Sequence, residues 1–382
     1  MADSQRITTK AYVVESQGAP FTLRDVILDA LQPDEVLVEL KYTGICHTDI
    51  VVQHGGMPIG SYPAILGHEG VGIVRQIGSQ VKDKSLSEGD AVLLGFRTCR
   101  QCSPCLEGRC GACPHMTEYN FVSARRREGA KPIYSFPDGT PVHGQFFGQS
   151  SLSKLAIVAQ DSVVKCEVDD KSLQYLAPLG CGYSTGAGTV FNALRPKPES
   201  TIAILGMGAV GLAALLAAKS MGVGQIIAVD IVDSKLELAL SMGATHTINT
   251  KQVPDLCSGI RALFPDGVDQ IIDTTGVSAL MQASMKALGH EGVLAVVGVP
   301  RPGDSIQIDA LDLLVSCKRV IGVIEGFADS KEIIPQLVKL YRQGNFPVDR
   351  ISTVYPAERL DQAIEDLKTG KVIKPVLSWD SI

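Results

Sequence analysis

The sequence predicts an α/β protein of two domains: a β-rich N-terminal domain with a cysteine-bearing lobe, and a doubly wound parallel-sheet domain. Three observations carry this expectation. Near Ser200 the texture changes from short alternating stretches to apolar runs separated by amphipathic helices. A Gly-x-Gly-x-x-Gly string sits at the first strand-to-helix junction after that change. Four cysteines fall close together in the first part. With 382 residues, 45% of them hydrophobic and 20% charged, the chain can bury a core large enough for both domains.

Taken in order, Lys10 to Pro178 is rich in Gly, Pro and short alternating stretches such as Glu35 to Tyr42 (EVLVELKY), which read as strands joined by turns. The stretch from Tyr119 to Gln145, with ARRREGAK and FPDGTPVHG, reads as an exposed excursion. From Ser200 the runs TIAILG, AVGLAALLAAKSMG, QIIAVD and SKLELALSMG have βαβ rhythm, which requires a parallel sheet. Gln270–Asp273, Val293–Gly298 and Arg319–Ile324 extend that sheet to about six strands. The helical stretch Ser330–Gln343 and the final GKVIKPVLSW lie beyond it and are expected to pack back on the first domain. The boundaries predicted are therefore 1–182 with 325–382, and 183–324.

Charge and termini narrow the partners. The net charge is −6 and no Lys/Arg block stands out, so neither a nucleic acid nor an anionic membrane is indicated, which leaves small molecules. The N-terminus MADSQRITTKAYVV lacks the apolar core of a signal peptide, and no apolar run approaches the ~20 residues that span a bilayer. A cytoplasmic protein is expected. In that compartment the cluster of five cysteines between Cys99 and Cys113, among ten in all, reads as metal binding rather than disulfides.

Gly206-x-Gly208-x-x-Gly211 follows the apolar run TIAIL and opens a helix, while Asp230 ends the next strand. The chemistry needs that spacing: the first glycine makes the tight turn, the second admits a pyrophosphate, the third lets helix and strand pack closely, and the helix N-terminus meets the phosphates. Asp230 would accept hydrogen bonds from a ribose 2′-hydroxyl and repel a 2′-phosphate, which favours NAD over NADP. Lys235, one turn into the following helix, reads either as a contact to the same ribose or as a solvated surface lysine.

Cys99-x2-Cys102-x2-Cys105-x7-Cys113 lets one loop wrap a tetrahedral ion. Four protein ligands leave no open position, so this zinc would be structural. Cys110, inside the same loop, is the rival ligand. Cys46 in GICHTD, His68 in GHEG and Cys181 in PLGCGYSTG are dispersed, and spacing alone does not join them; each cysteine by itself reads as a buried apolar residue.

The string Gly67-His68-Glu69-x2-Gly72-x5-Gly78-x2-Val81 resembles the signature of the zinc-containing medium-chain alcohol dehydrogenases, and the cysteine lobe and glycine triplet fall where that family has them. CHTD, NFVSARR and FFGQSSLSKLA are similar to its aryl or benzyl alcohol branch. The resemblance implies a GroES-like catalytic domain and a Rossmann coenzyme domain. It also implies two zinc ions and NAD, with an alcohol or aldehyde as substrate. By that likeness Cys46, His68 and Cys181 hold a catalytic zinc with one open position, Glu69 is the acid beneath the metal, and Asp49 orients His68. Thr48 resembles the hydroxyl residue that passes the substrate proton outward. His47 and Lys374 stand where basic residues contact the cofactor pyrophosphate, Val297 and Val299 flank the nicotinamide, and Thr185 and Val210 pack behind it. A homodimer or homotetramer is expected through the coenzyme-domain strand near Ala310–Val320.

One departure from the pattern concerns the proton relay. Val51 occupies the position where many relatives have a histidine, which leaves solvent or His54, one turn further, to end it. Phe96, Phe146, Phe147 and Met57 are candidates for an apolar substrate wall. Arg125, Arg126 and Arg127 keep open a glutathione-dependent formaldehyde dehydrogenase, whose anionic thiol adduct needs a basic residue. A specialised-metabolism reductase and a zinc-stabilised binding protein without turnover are the remaining alternatives.

Overall fold

The computed structural model describes residues 7–57, 60–122, 125, 131–253 and 255–382, which divide into two compact units. The first comprises Met1–Cys181, Ser330–Lys339 and Val348–Ile382; the second comprises Gly182–Asp329 and Leu340–Pro347.

Two sheets build the first unit. One is antiparallel and five-stranded, in the order Ala64–Ile65, Ile7–Val14, Phe21–Leu28, Tyr134–Ser135, Pro141–Val142. The other is seven-stranded and centres on Glu35–Gly44, in which Val36, Val38 and Leu40, spaced by two, are fully buried. That strand pairs antiparallel with Gly70–Ile77, Leu155–Ala159 and the last strand of the chain, Lys374–Ser378. Two consequences follow for the site: the strand's end delivers Cys46, and its neighbours bring His68 and Lys374 alongside.

The second unit is a six-stranded parallel sheet in the order His246–Asn249, Gln225–Asp230, Thr201–Leu205, Val268–Asp273, Leu288–Val296, Arg319–Gly322. This is the doubly wound arrangement the sequence predicts, with its switch point between Thr201–Leu205 and Val268–Asp273. The strand that apolar periodicity does not single out is His246–Asn249, an edge strand with one neighbour and hence a weak apolar signature.

Two expectations are revised. Residues 325–329 and 340–347 group with the second unit rather than the first. For the former the reason is local: Gly326 meets the backbone of Gly188 so closely that a Cβ on Gly188 would lie 2.7 Å from the Gly326 oxygen, and Asn192 Nδ2 donates to that oxygen at 3.0 Å. The stretch Tyr119–Gln145, read as an exposed excursion, contributes two strands of the first sheet, and Tyr134 is buried where it pairs with Leu28.

Candidate metal and cofactor sites

Cys46 caps the helix His47–Gln53, and its N–H donates to Asp49 Oδ2 at 3.2 Å. The other oxygen of Asp49 accepts from His68 Nδ1 and from the Gly67 N–H, both at 3.0 Å. One buried carboxylate thus fixes two candidate ligands. With Nδ1 committed as donor, Nε2 of His68 presents its lone pair away from Asp49, and it is buried with no hydrogen-bond partner. It faces sulfur: a ligand atom from each of Cys46, His68, Glu69 and Cys181 lies within 4.8 Å of the others. Thr48 Oγ1 stands 3.6 Å from Cys46 Sγ.

The electrostatics suit a cation. A hydrogen bond from Cys181 holds the Cys46 thiol well below its ordinary value, aided by His68 and Lys374 against the cost of burial. Burial disfavours charge on His68, yet Asp49 and the Cys46 sulfur outweigh it and raise the imidazole well above its ordinary value. A pocket that draws a proton onto an imidazole through thiolate and carboxylate neighbours would draw a divalent metal to the same atoms. Two thiolates and one imidazole, with an unpartnered buried nitrogen among them, fit zinc.

His68 is braced by protein on every side. Phe147 stacks on its ring at 4.6 Å between centroids and Phe146 meets it edge-on at 5.6 Å. Both lie in a loop whose Gln145, Phe147, Gly148 and Ser150 all have positive φ. Gln149, fully buried, donates through Nε2 to the carbonyls of His68 (3.0 Å) and Gly95 (3.4 Å) and accepts from the Gly70 N–H (3.0 Å). Sequence reasoning missed Gln149 because a glutamine carries no pattern until the chain brings two backbone segments, at His68–Gly70 and Gly95, around it.

Glu69 is buried beneath this cluster. The sequence reading placed Lys374 on the cofactor phosphates; the structure instead gives its buried ammonium to Glu69 Oε1 at 2.7 Å and to the Ile45 carbonyl at 3.1 Å. Burial lifts the Glu69 carboxyl, with Lys374 pulling the other way. Burial opposes the Lys374 charge, but Glu69 and the two cysteine sulfurs raise it above its ordinary value. His47 is exposed, and so is His54, whose Nδ1 contacts the Ile50 carbonyl at 2.9 Å at the end of the helix. Val51 is half-buried.

In the lobe, Cys99 Sγ lies 3.9 Å from Cys105 Sγ, and Cys102 Sγ lies 3.9 Å from Cys113 Sγ. Two thiolates on one tetrahedral zinc, at about 2.3 Å each, stand about 3.8 Å apart, so this set fits the ion geometrically. Against burial, the backbone N–H groups of Gln101 and Cys102 lower the Cys99 thiol to about 6. Cys110 is outside the cluster: it is buried, with its sulfur against the Cys105 carbonyl at 3.9 Å.

The glycine turn lies in the second unit. Gly206 has φ of 91°, a Cβ on Gly211 would lie 1.8 Å from the Gly206 oxygen, and a Cβ on Gly208 would meet nothing within 4 Å. The open space at Gly208, where the helix Ala209–Ser220 begins, is room for a pyrophosphate. Asp230 accepts from the Met207 N–H at 2.7 Å, so it fastens the turn as well as ending its strand. Ile231 and Val277 stand exposed beyond two strand ends; neither was singled out from the sequence. Lys235, Val210 and Val297 are half-buried and Val299 is exposed. Thr185, on the helix Gly182–Gly188, donates to Glu325 Oε2 at 3.1 Å.

Arg125 is unavailable to an anionic substrate. Its guanidinium is buried, bonded twice to Glu35 at 2.8 Å, and further to Asp29 and to the Ala30 carbonyl. Arg126 and Arg127 lie outside the described residues. Phe96 is buried in the core cluster of the first unit and Met57 packs against it.

A model of the alcohol dehydrogenase GroES-like domain matches residues 32–168, and one of zinc-binding dehydrogenases matches 209–342. The chain is 35% identical over 378 residues to a geraniol dehydrogenase of Castellaniella defragrans, covering 99% of this chain and 100% of that one. It is 32% identical over 386 residues to a probable S-(hydroxymethyl)glutathione dehydrogenase of Schizosaccharomyces pombe, covering 99% of each. Its fold superposes with a TM-score of 0.89 and 39% identity on the crystal structure of benzyl alcohol dehydrogenase from Acinetobacter calcoaceticus, covering 97% of this chain and 99% of that one.

Proposed function

Because the chain belongs to the zinc-dependent medium-chain alcohol dehydrogenase family, we propose that it transfers hydride between NAD(H) and a primary alcohol or aldehyde that is aromatic or otherwise bulky and apolar. The observation that carries the reading is the convergence of Cys46, His68 Nε2 and Cys181, with Glu69 against them and the Thr48 hydroxyl 3.6 Å from Cys46 Sγ; a zinc held by the two sulfurs and the nitrogen would keep a fourth position for the alcohol oxygen. When bound, zinc there supplies Lewis-acid polarisation of the alcohol oxygen and NAD supplies the hydride acceptor. The chain's own residues do the rest. Asp49 fixes the tautomer of His68 and the position of Cys46. Thr48 Oγ1 takes the proton of the substrate hydroxyl and hands it outward, a role that needs a group both donating and accepting. Val51 cannot carry that proton, so it leaves through solvent or the cofactor ribose, His54 being exposed with Nδ1 against the Ile50 carbonyl. Glu69 with Lys374 sets the charge beneath the metal ligands.

The second unit binds the dinucleotide at the Gly206–Gly211 turn, with Asp230 on the adenosine ribose. The aromatic preference is supported by Phe146 and Phe147 against His68 and by likeness to the benzyl alcohol enzyme. A second zinc in the four-cysteine lobe is structural. A homodimer through the edge strand Arg319–Gly322 is supported by exposed Leu311, Leu314 and Val315 on the neighbouring helix. The glutathione-dependent alternative has a relative in its favour, but the burial of Arg125 removes its basic anchor among the described residues. The test is NADH formation by the zinc-replete protein with benzyl alcohol, cinnamyl alcohol, ethanol and S-(hydroxymethyl)glutathione, each repeated with NADP. Turnover of the aromatic alcohols with NAD supports the reading; turnover of the glutathione adduct alone would replace it.

A further inference from the structure

The second unit holds a buried acid that the proposed reaction does not use. Glu325 is 7% exposed and lies just past the end of the last parallel strand, Arg319–Gly322. Its φ is 49°, followed by 60° at Gly326 and 52° at Phe327. Two non-glycine residues are thus held in the left-handed region, which side chains disfavour and which persists only where surrounding contacts impose it. Those contacts are visible: a Cβ on Gly326 would lie 2.6 Å from Gly188 Cα and 2.7 Å from the Ser184 oxygen, and Asn192 holds the Gly326 carbonyl. The turn aims Glu325 at the helix Gly182–Gly188, where Oε2 accepts from Thr185 Oγ1 at 3.1 Å.

Topology places this acid. The Gly206–Gly211 turn stands at the switch point, and Asp230 marks the adenosine half over Gln225–Asp230. The nicotinamide half then lies over the carboxyl ends of Val268–Asp273, Leu288–Val296 and Arg319–Gly322. Glu325 follows the last of these. The helix bearing Thr185 abuts the helix that the glycine turn opens, since a Cβ on Gly186 would lie 2.1 Å from the Val210 oxygen. Asp273, a second buried acid at this edge among the described residues, accepts from Thr275 Oγ1 (2.6 Å) and the Gly276 N–H (3.0 Å).

An oxidised nicotinamide ring is cationic and a reduced one is neutral. A carboxylate beside the ring in a water-poor crevice therefore distinguishes the two by charge alone. We propose that Glu325 is a specificity-determining residue that raises affinity for the oxidised cofactor relative to the reduced one, through the Thr185–Glu325 pair at the nicotinamide end of the crevice. The inference rests on the reading that the second unit binds a nicotinamide dinucleotide.

The test is the ratio of dissociation constants for the oxidised and reduced cofactor, from NADH fluorescence and displacement by NAD⁺. It is measured for the natural protein and for Glu325→Gln, Glu325→Met and Glu325→Asp, and repeated with the NADP pair. A charge acting over several ångströms in such a site changes an equilibrium by about tenfold. The expected result is therefore an about tenfold loss of preference for the oxidised form in both neutral variants, with the Asp variant near the natural ratio. Neutral variants that bind both forms in the natural ratio, or an Asp variant that falls with them, would overturn the proposal. Because Met offers a neutral side chain of different polarity, one poorly folding variant does not decide the matter. Binding of the NADP pair alone would overturn the choice of NAD while leaving the ratio test in force; binding of neither pair would overturn both.

Discussion

Asp49→Asn is the most informative single change at the metal site, because one carboxylate holds two candidate ligands. An asparagine keeps one oxygen, which can still accept from His68 Nδ1 and the Gly67 N–H, but its amide nitrogen then faces the Cys46 N–H, donor against donor. Two losses follow. The charge-assisted bond to His68 becomes a neutral one, roughly halving a bond of about 1.5–3 kcal/mol. The Cys46 N–H is left without its acceptor, at about 1–3 kcal/mol for a buried group. Part of this sum falls on folding and part on metal binding, and outer partners of metal ligands typically contribute about 10–100-fold to affinity. The expected outcome is therefore zinc at the Cys46/His68/Cys181 site held about 10–100-fold more weakly, with the four-cysteine lobe unaffected. A chromogenic chelator applied to the folded protein reads this as a fast and a slow phase of zinc release, with Asp49→Asn accelerating only one. Identical release from variant and parent would refute the claim that Asp49 positions the ligands.

Three further outcomes follow from the same structure. Arg125→Ala leaves the buried Glu35 without its cation, bonded only by Gln145 Nε2 and the Gln32 N–H, which costs up to about 3–5 kcal/mol; thermal unfolding should shift accordingly, whereas a drop in activity toward a glutathione adduct at unchanged Tm would mean that Arg125 binds substrate. Glu39→Gln should show a pH-dependent loss. Against burial, Lys41 and Arg75 depress the Glu39 carboxyl from 4.5 to about 2, so its stabilisation is present above 4.5 and fades as pH falls toward 2. After allowance for solvent screening the difference is about 1 kcal/mol at pH 7 and near zero at pH 2 in denaturant titrations; an equal difference at both would sink it. Asp230→Ala should narrow the NAD/NADP preference, measured as the ratio of kcat/KM values, and also loosen the turn through the lost bond to Met207; an unchanged ratio would place cofactor choice elsewhere.

The parts of this molecule that were legible in the sequence are those whose physics is local. A glycine turn between a strand and a helix, and four thiols that one loop can gather, depend on residues close in the chain. The ligands Cys46, His68 and Cys181 come from separate segments that only the sheet assembles, so spacing was silent and resemblance alone joined them. Lys374 was misjudged because a lysine looks the same whether it will meet a phosphate or a buried glutamate. Tyr134 and its short strand were hidden in a stretch whose turn residues outnumber its apolar ones. Gln149 and Glu325 were unreadable because each makes its contacts with residues distant in the chain.

The bracing of His68 by Asp49, Phe147 and Gln149 bears on how the finished protein is made. None of those contacts runs through a metal, so the imbued shape of that pocket belongs to the polypeptide, and an ion entering it has little left to organise. The cysteine lobe is the opposite case: its four sulfurs sit together on short helical turns and bends between Cys99 and Cys113, where a shared ion would be the strongest link among them. Zinc ions at the two sites would then differ in what they contribute: one in the lobe would tie a short loop together as the chain folds, whereas one at Cys46, His68 and Cys181 would enter a pocket whose ligands Asp49, Phe147 and Gln149 already hold.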